Sequence, residues 1–294
     1  MSRSHPVSVP AEPAPLYGTL LLPDGAGPHP GLLLVAGSGP VDRDGNLPGL
    51  ANNSLRLLAE GLAERGIATL RTDKRGVGAS LAAAPDEAAL VLDTYVADTT
   101  RWWHALAGDP SISRSGLLGH SEGALIVTLA AKAVATDRLV LLAGAGVPAG
   151  PLILRQLAAG GVPAEQVAEA RGIIGRLLRG EAVAEVPATL AGLFRPSIQP
   201  YVASWLVRDP AAELTALHCP VLIVQGTADL QIQVSDARLL AASRPKAALL
   251  LVPGMNHVLK ASAESRSANL ATYADPTLPL ADGLVDGVAR FVLD

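Results

Sequence analysis

The chain has 294 residues, 49% hydrophobic and 17% charged, so it can bury a large core in one or two domains and is not globally disordered. Its formal net charge of -4, from 23 basic and 27 acidic residues without a long block of one sign, argues against a surface built for nucleic acid or anionic lipid. Because it has one cysteine, Cys219, no signal-peptide core in its Pro-rich start and no apolar run as long as a membrane span, we expect a cytoplasmic protein without disulfides.

Short apolar runs alternate with amphipathic helical segments along most of the chain. The runs predict strands at residues 16–22, 31–35, 67–71, 115–118, 139–142, 221–224 and 248–252. The helical segments span residues 55–65, 94–107, 122–135, 235–243 and 284–293. No strand is predicted in the Pro-rich first 15 residues. This alternation predicts an α/β fold with a mainly parallel sheet covered by helices on both faces.

One segment, residues 148–214, interrupts the alternation. It contains helix-like runs and Pro/Gly punctuation but no convincing strand, and more apolar residues than a solvated linker needs. We interpret it as an insertion into a single core formed by residues 1–147 and 215–294. Its arginines and acidic residues are equal in number and its aliphatic residues are many, so it is expected to pack over an apolar group rather than a charged polymer.

A Gly-x-Ser-x-Gly pattern, Gly119-His120-Ser121-Glu122-Gly123, lies between a predicted strand and a predicted helix. A serine in such a sharp strand-to-helix turn exposes its hydroxyl at the edge of the sheet, and the two glycines allow close strand–helix packing. The alternative interpretation is an ordinary glycine-rich turn. The strand–turn–helix setting favours Ser121 as a nucleophile.

A serine nucleophile needs a base and an acid that orients the base, and both have candidates after later strands. Asp229 follows the predicted strand at residues 221–224, and His257 follows the strand at residues 248–252. Taken singly, such an aspartate is often a helix N-cap and a loop histidine is usually structural. In the order Ser121, Asp229, His257 on successive strand ends, they predict a catalytic triad with His257 as general base.

The negative charge of a tetrahedral intermediate must meet fixed N–H donors, which form an oxyanion hole. One predicted donor is the backbone amide of Glu122, directly after the nucleophile. The other is expected from the glycine-rich loop that follows the strand at residues 31–35, and we predict the amide of Ser38 there.

Motifs across nearly the whole chain resemble those of the α/β-hydrolase superfamily, and more narrowly its bacterial esterase and serine-aminopeptidase-like branch. They are GSGPVDRDG at residues 37–45, DKRGVGAS at 73–80, the Gly-x-Ser-x-Gly turn, GTAD at 226–229 and the Asn-His pair at 256–257. The resemblance implies an eight-stranded, mostly parallel sheet, a helical cap inserted after the sixth strand, and hydrolysis through an acyl-enzyme without metal or cofactor. One departure is Ala36, where many relatives carry histidine.

Three other segments contain residues typical of ligand sites. The sequence DRDGN at residues 42–46 lacks the later ligands of a calcium loop, and GAGVPAG at residues 144–150 lacks the spacing of a dinucleotide loop. Lys74 and Arg75 lie outside any phosphate-loop pattern, so we expect them to pair with nearby acids. We therefore expect no bound cofactor and no metal.

The predicted substrate is a small-molecule carboxylic ester with a small to medium, largely apolar acyl group, and no nucleic acid or membrane partner is expected. An aminopeptidase or an acyl thioesterase would use the same triad. An aminopeptidase would also need carboxylates for the substrate's ammonium group, for which Glu165, Glu169, Glu181 and Glu185 are candidates. The non-enzymatic alternative is a catalytically silent scaffold for binding. The sequence leaves open whether two copies form a homodimer.

Overall fold

Eight strands form one sheet in the computed structural model, which describes residues 2–262 and 265–294. Their spatial order is β1-β2-β4-β3-β5-β6-β7-β8. The strands are β1 (Arg3–Val9), β2 (Leu16–Leu22), β3 (His29–Val35), β4 (Ala68–Thr72), β5 (Ile112–His120), β6 (Leu139–Leu142), β7 (Val221–Gly226) and β8 (Ala248–Val252). Strands β3 to β8 run parallel to one another, whereas β2 pairs antiparallel with both of its neighbours, β1 and β4. The predicted mostly parallel eight-stranded sheet is confirmed.

Helices cover both faces of this sheet. They are α1 (Ser54–Ala63), α2 (Leu92–Ala107), α3 (Glu122–Ala130), α4 (Ala149–Ala159), α5 (Ala164–Leu178), α6 (Ala191–Phe194), α7 (Gln199–Leu206), α8 (Pro210–Thr215), α9 (Val234–Ser243), α10 (Arg266–Ala271) and α11 (Leu284–Leu293). Successive strand residues enter opposite cores: Leu33 belongs to the cluster that includes residues of α2, α3, α8 and α9, and Leu34 belongs to the cluster that includes residues of α1 and α11. None of the described helices is long and apolar enough to cross a membrane.

Helices α4 to α8 all lie between β6 and β7, in the segment expected to be an insertion. Most of their buried apolar side chains form a third cluster, separate from the two sheet cores, which includes Ile153, Ile174 and Phe194. Trp205 of α7 contacts both this cluster and the sheet core beneath it. The segment therefore has a small core of its own and packs through α7 and α8 against α2 and α3.

The apolar pattern does not mark the first strand, which the eight-stranded sheet implied by the resemblance requires. Residues Arg3–Val9 form β1, which pairs antiparallel with β2 from Arg3 opposite Leu22 to Val9 opposite Leu16. Pro6 is compatible with this strand because β1 lies at the edge of the sheet, where a residue without an N–H donor can face solvent. The mostly exposed strand lacks the apolar alternation on which the sequence prediction rested.

Candidate active site

Ser121 is the single residue between the end of β5 and the start of α3, and its backbone conformation is strained. Its φ of 57° and ψ of −121° lie in a region that residues other than glycine rarely adopt and that is often found at functional sites. A Cβ on Gly119 would lie 2.1 Å from the carbonyl oxygen of Gly123, and a Cβ on Gly123 would lie 2.4 Å from that of Val35. The two glycines are therefore required for the close packing that exposes the serine.

This packing makes Gly123→Ala a severe change. The added methyl group would meet the backbone of β3, which cannot move without disturbing the centre of the sheet, so we expect a loss of stability of several kcal/mol, measured by chemical denaturation. Gly172→Ala in α5 is the matched control, because a Cβ there would meet nothing within 4 Å. It should be neutral or stabilising by about 0.5–1 kcal/mol. Equal stability of the two variants would contradict this account of the turn.

Ser121 forms a hydrogen-bonded series with two side chains that follow other strands. Asp229 follows β7 and His257 follows β8. The Nδ1 atom of His257 lies 2.9 Å from Oδ2 of Asp229, and its Nε2 atom lies 3.1 Å from Oγ of Ser121. A carboxylate only accepts hydrogen bonds, so Nδ1 carries the proton and Nε2 presents its lone pair to the serine hydroxyl. This is the arrangement in which an imidazole can take the serine proton.

The Asp229 carboxylate is fixed from several sides. Its Oδ1 atom accepts hydrogen bonds from the amides of Gln231 at 2.7 Å and Ile232 at 3.0 Å, and Oδ2 accepts one from Nε2 of Gln225 at 3.2 Å. Burial acts to raise the pKa of Asp229, but His257 and the two amides outweigh it and hold the pKa below its ordinary value. The acid therefore stays ionised beside the imidazole. Gln225 was not predicted as a site residue, because its position at the end of a buried strand does not distinguish it from a structural residue.

His257 is held through its backbone by His120. The Nε2 atom of His120 lies 2.8 Å from the carbonyl oxygen of His257, and the two rings pack with centroids 4.9 Å apart. Burial, together with the nearby His257, lowers the pKa of His120 to about 3. His120 is therefore a neutral donor that fixes the loop after β8, and it does not compete with His257 as a base.

The loop after β3 passes directly over Ser121. A Cβ on Gly37 would lie 3.0 Å from Cβ of Ser121 and 3.5 Å from its Oγ. Within the described chain, the backbone amides of Ser38 and Glu122 donate no hydrogen bond to protein. Ser38 and Glu122, the two predicted oxyanion-hole donors, therefore line one cavity with Ser121, and their amides have no hydrogen-bond partner among the described residues.

Within the part of the chain that the structure describes, Lys74 forms no salt bridge, contrary to the sequence prediction. Its Nζ donates to the carbonyl oxygens of Gly37 and, at 2.7 Å, Gly39, and it lies 5.7 Å from the centroid of the Tyr95 ring. Arg75 does pair as expected, because its Nε and Nη2 donate to Asp98 at 2.6 and 2.9 Å. The prediction failed for Lys74 because its partners are carbonyl groups 35 and 37 residues away. The sequence around Lys74 does not show which distant loop packs against it.

Two cavities share Ser121 in their lining. The first, here called the Glu122 cavity, has a volume of about 40 Å³ and is lined by Ser38, Ser121, Glu122, Leu125, Ala145, Val147, Leu152, Gln156, Trp205, Pro210, Gln231 and Ile232. The second, the His257 cavity, has a volume of about 110 Å³ and is lined by Gly37, Ser38, Val41, Gly45, Leu47, Leu50, Asn52, Ser54, His120, Ser121, Gln231, His257, Val258 and Tyr273. Helices α4 and α7 contribute only to the Glu122 cavity.

Acidic groups are scarce in both cavities. Among the described residues that line them, Glu122 is the one acid; burial raises the pKa of its carboxyl, against the opposing charge of Lys74. The four glutamates predicted as possible ammonium ligands are exposed and line neither cavity: Glu165, Glu169, Glu181 and Glu185. The structure therefore does not bring them to Ser121.

The described residues also hold no cluster of three or more His, Cys, Asp or Glu side chains that could bind a metal. In the loop at residues 42–46, Oδ1 of Asp42 accepts hydrogen bonds from the amides of Asp44 and Asn46, at 2.9 and 2.8 Å. The Asp44 carboxylate is bound by Arg71. These aspartates therefore shape a turn beside the His257 cavity.

Comparison by sequence identifies a family and a relative of this chain. A family model described as "Serine aminopeptidase, S33" matches residues 48–261. The chain is 30% identical over 254 residues to Esterase EstD of Thermotoga maritima; this covers 83% of the chain and 58% of that esterase, so the chain spans little more than half of its length.

Solved structures share the fold at lower identity. Ferulic acid-bound Est1E from Butyrivibrio proteoclasticus has a TM-score of 0.63 at 16% identity, covering 97% of this chain and 96% of Est1E. Proline iminopeptidase from Mycobacterium smegmatis has a TM-score of 0.61 at 19% identity, covering 98% of each chain. With a family match over most of its length and this sheet topology, the chain belongs to the serine aminopeptidase S33 family of α/β-hydrolases.

Proposed function

We propose that the protein is a serine hydrolase that cleaves carboxylic esters of small to medium, largely apolar acyl groups through an acyl-enzyme intermediate. The observation that carries the proposal is the hydrogen-bonded series from Ser121 through His257 to Asp229, with contacts of 3.1 and 2.9 Å. The esterase named among its relatives supports the ester class.

In the proposed mechanism, Nε2 of His257 takes the Ser121 proton as Oγ attacks the ester carbonyl carbon. The carbonyl oxygen becomes an oxyanion and accepts hydrogen bonds from the amides of Ser38 and Glu122. As the carbon–oxygen bond to the alcohol breaks, His257 returns its proton to the leaving oxygen. Water, deprotonated by His257, then attacks the carbonyl carbon of the acyl-enzyme. As the bond from this carbon to Oγ of Ser121 breaks, His257 returns the proton to Oγ and the acid is released. Asp229 stabilises the imidazolium in both halves of the reaction.

The two cavities take different halves of the ester in this proposal. The leaving alcohol must receive a proton from His257, which lines only the second cavity, so the alcohol lies in the His257 cavity. The acyl group then lies in the Glu122 cavity, whose apolar wall includes Leu125, Leu152 and Trp205. This wall and the cavity size favour an apolar acyl chain of modest length.

An aminopeptidase remains the second chemical class because the family model carries that name. Such an enzyme needs a free carboxylate for the substrate's ammonium group. Burial raises the pKa of the Glu122 carboxyl, which disfavours its ionised form, and the four glutamates from helix α5 and the loop after it are exposed. The geometry therefore favours ester over aminoacyl amide substrates. Acyl thioesters would use the same reacting atoms and are the third class to assay.

The test is hydrolysis of p-nitrophenyl esters from acetate to laurate, with Ser121→Ala purified in parallel. We expect wild type to turn over the shorter esters, with an optimum chain length set by the Glu122 cavity, and the variant to be inactive. Activity on an aminoacyl amide or an acyl-CoA, with none on any ester, would show that the substrate class is wrong. Activity on none of them, without covalent labelling of Ser121 by a fluorophosphonate, would favour a silent binding scaffold.

The assignment of the cavities gives a separate prediction. Leu152→Trp places a larger ring in the Glu122 cavity, so the optimum acyl chain should shorten by several carbons while the preference among alcohols stays unchanged. Leu47→Trp, in the His257 cavity, is the matched variant and should change the alcohol preference only. Both are measured as kcat/KM over two ester series. If Leu152→Trp instead changed the alcohol preference and Leu47→Trp the acyl preference, the acyl group would lie in the His257 cavity and the alcohol in the Glu122 cavity.

A further inference from the structure

Lys74 is the charged side chain beside Ser121 that the proposed mechanism does not use. It follows β4 and reaches across to the loop after β3, where its Nζ binds the carbonyl oxygens of Gly37 and Gly39. No carboxylate in the described part of the chain lies within salt-bridge distance of it. A lysine ammonium is strongly hydrated, so holding it against two carbonyls calls for a specific reason.

The geometry of one peptide bond supplies that reason. The carbonyl of Gly37 and the N–H of Ser38 belong to the same planar trans peptide, so they point in opposite directions. When Lys74 holds the carbonyl oxygen on its side, the Ser38 N–H must point to the other side. Gly37 lies over Ser121, with a Cβ position 3.5 Å from Oγ, and Ser38 lines both cavities.

We propose that Lys74 is a positioning residue for the oxyanion hole: it fixes the orientation of the Gly37–Ser38 peptide so that the Ser38 amide faces the developing oxyanion. This inference rests on the proposed serine-hydrolase function and assigns a device within that site. Lys74 touches no substrate atom. It acts by preventing rotation of the peptide and by polarising the carbonyl, which makes the amide a stronger donor.

The surroundings of Lys74 suit this role. Lys74 also donates a hydrogen bond to the Gly39 carbonyl oxygen, so it holds the loop on both sides of Ser38. Two such bonds require a donor with several N–H groups on a flexible side chain. The Tyr95 ring contacts the cation, and Glu122, whose amide is the second predicted donor, supplies an opposing charge. Burial lowers the pKa of Lys74, and Glu122 acts against this shift.

The test compares Lys74→Met, which keeps the length of the chain but has no donor, with Lys74→Gln, whose amide can still donate to one carbonyl. The control is Lys246→Met, an exposed lysine away from the site. For each purified protein we would measure kcat and KM on p-nitrophenyl butyrate and the inhibition constant of an alkyl trifluoromethyl ketone. Oγ of Ser121 attacks the ketone carbon of this inhibitor and forms a tetrahedral adduct that carries an oxyanion. Thermal melting and fluorophosphonate labelling of Ser121 would show that each variant is folded and has a competent nucleophile.

We expect Lys74→Met to lower kcat by about 10²- to 10³-fold, the effect of losing one oxyanion donor, with KM changed by less than about threefold. The inhibition constant should rise by the same factor as kcat/KM falls, because both report oxyanion stabilisation. Lys74→Gln should lie between wild type and Lys74→Met, and Lys246→Met should equal wild type.

A folded Lys74→Met with near wild-type kcat would overturn the inference. So would a fall in kcat with no change in the inhibition constant, because the oxyanion hole would then be intact. If Lys74→Met does not fold, Lys74→Gln decides by the same two readouts. A wild-type protein inactive on esters and unlabelled by the fluorophosphonate would instead overturn the proposed function, and the role of Lys74 with it.

Discussion

Ser121→Ala should lower kcat for ester hydrolysis by roughly four to six orders of magnitude, because no other group can attack the ester carbonyl from that position. Among the described residues, Oγ of Ser121 is the one group hydrogen-bonded to Nε2 of His257, at 3.1 Å. KM should change little, since the substituted methyl group still fits the turn. The measurement is steady-state kinetics on the best p-nitrophenyl ester from the series.

The matched control for this variant is Ser235→Ala, an exposed serine on α9. It should retain wild-type kcat, and all three proteins should melt at similar temperatures, because alanine adopts the strained turn no less readily than serine. If Ser121→Ala kept more than about a tenth of the wild-type activity while folded, another nucleophile or a non-covalent route would carry the reaction.

Asp229→Asn should lower kcat by roughly 10⁴-fold at neutral pH. An asparagine amide at the Oδ2 position would donate to Nδ1 of His257 and so place the ring proton on Nε2, which could then no longer accept the Ser121 proton. The loss also removes the charge that stabilises the imidazolium in the transition state. We would measure it as kcat and KM on the same ester.

Asp282→Asn, at an exposed aspartate, is the control and should leave kinetics unchanged. In Asp229→Asn, fluorophosphonate labelling of Ser121 should slow by a comparable factor, because labelling also needs the base. Labelling at the wild-type rate together with a large loss of kcat would show that Asp229 acts in deacylation only. A kcat within about threefold of wild type would contradict the triad.

The positions of the three triad candidates could be predicted from sequence because each follows a short apolar strand. Parallel strands bring their carboxyl ends to one edge of a sheet, so chain order alone places Ser121, Asp229 and His257 near one another. The fold was predictable for the same reason, since the alternation of apolar runs with amphipathic helices is strong in β3 to β8.

Other features depend on contacts between distant segments and could not be predicted. Lys74 binds carbonyls 35 and 37 residues away, and the sequence offers only a lysine among charged neighbours. Strand β1 is a mostly exposed edge strand whose pairing with β2 leaves little apolar pattern. The glutamates of α5 and the loop after it were candidates by composition, but their side chains point to solvent.

The most direct test of the central claim is intact-protein and peptide mass spectrometry after treatment with a fluorophosphonate. We predict one adduct per chain, located on Ser121. It should be absent in Ser121→Ala and present in Ser235→Ala. This outcome would show that the turn between β5 and α3 holds an activated nucleophile, whatever the natural ester is. No adduct on folded wild-type protein, or an adduct on another residue, would contradict the account.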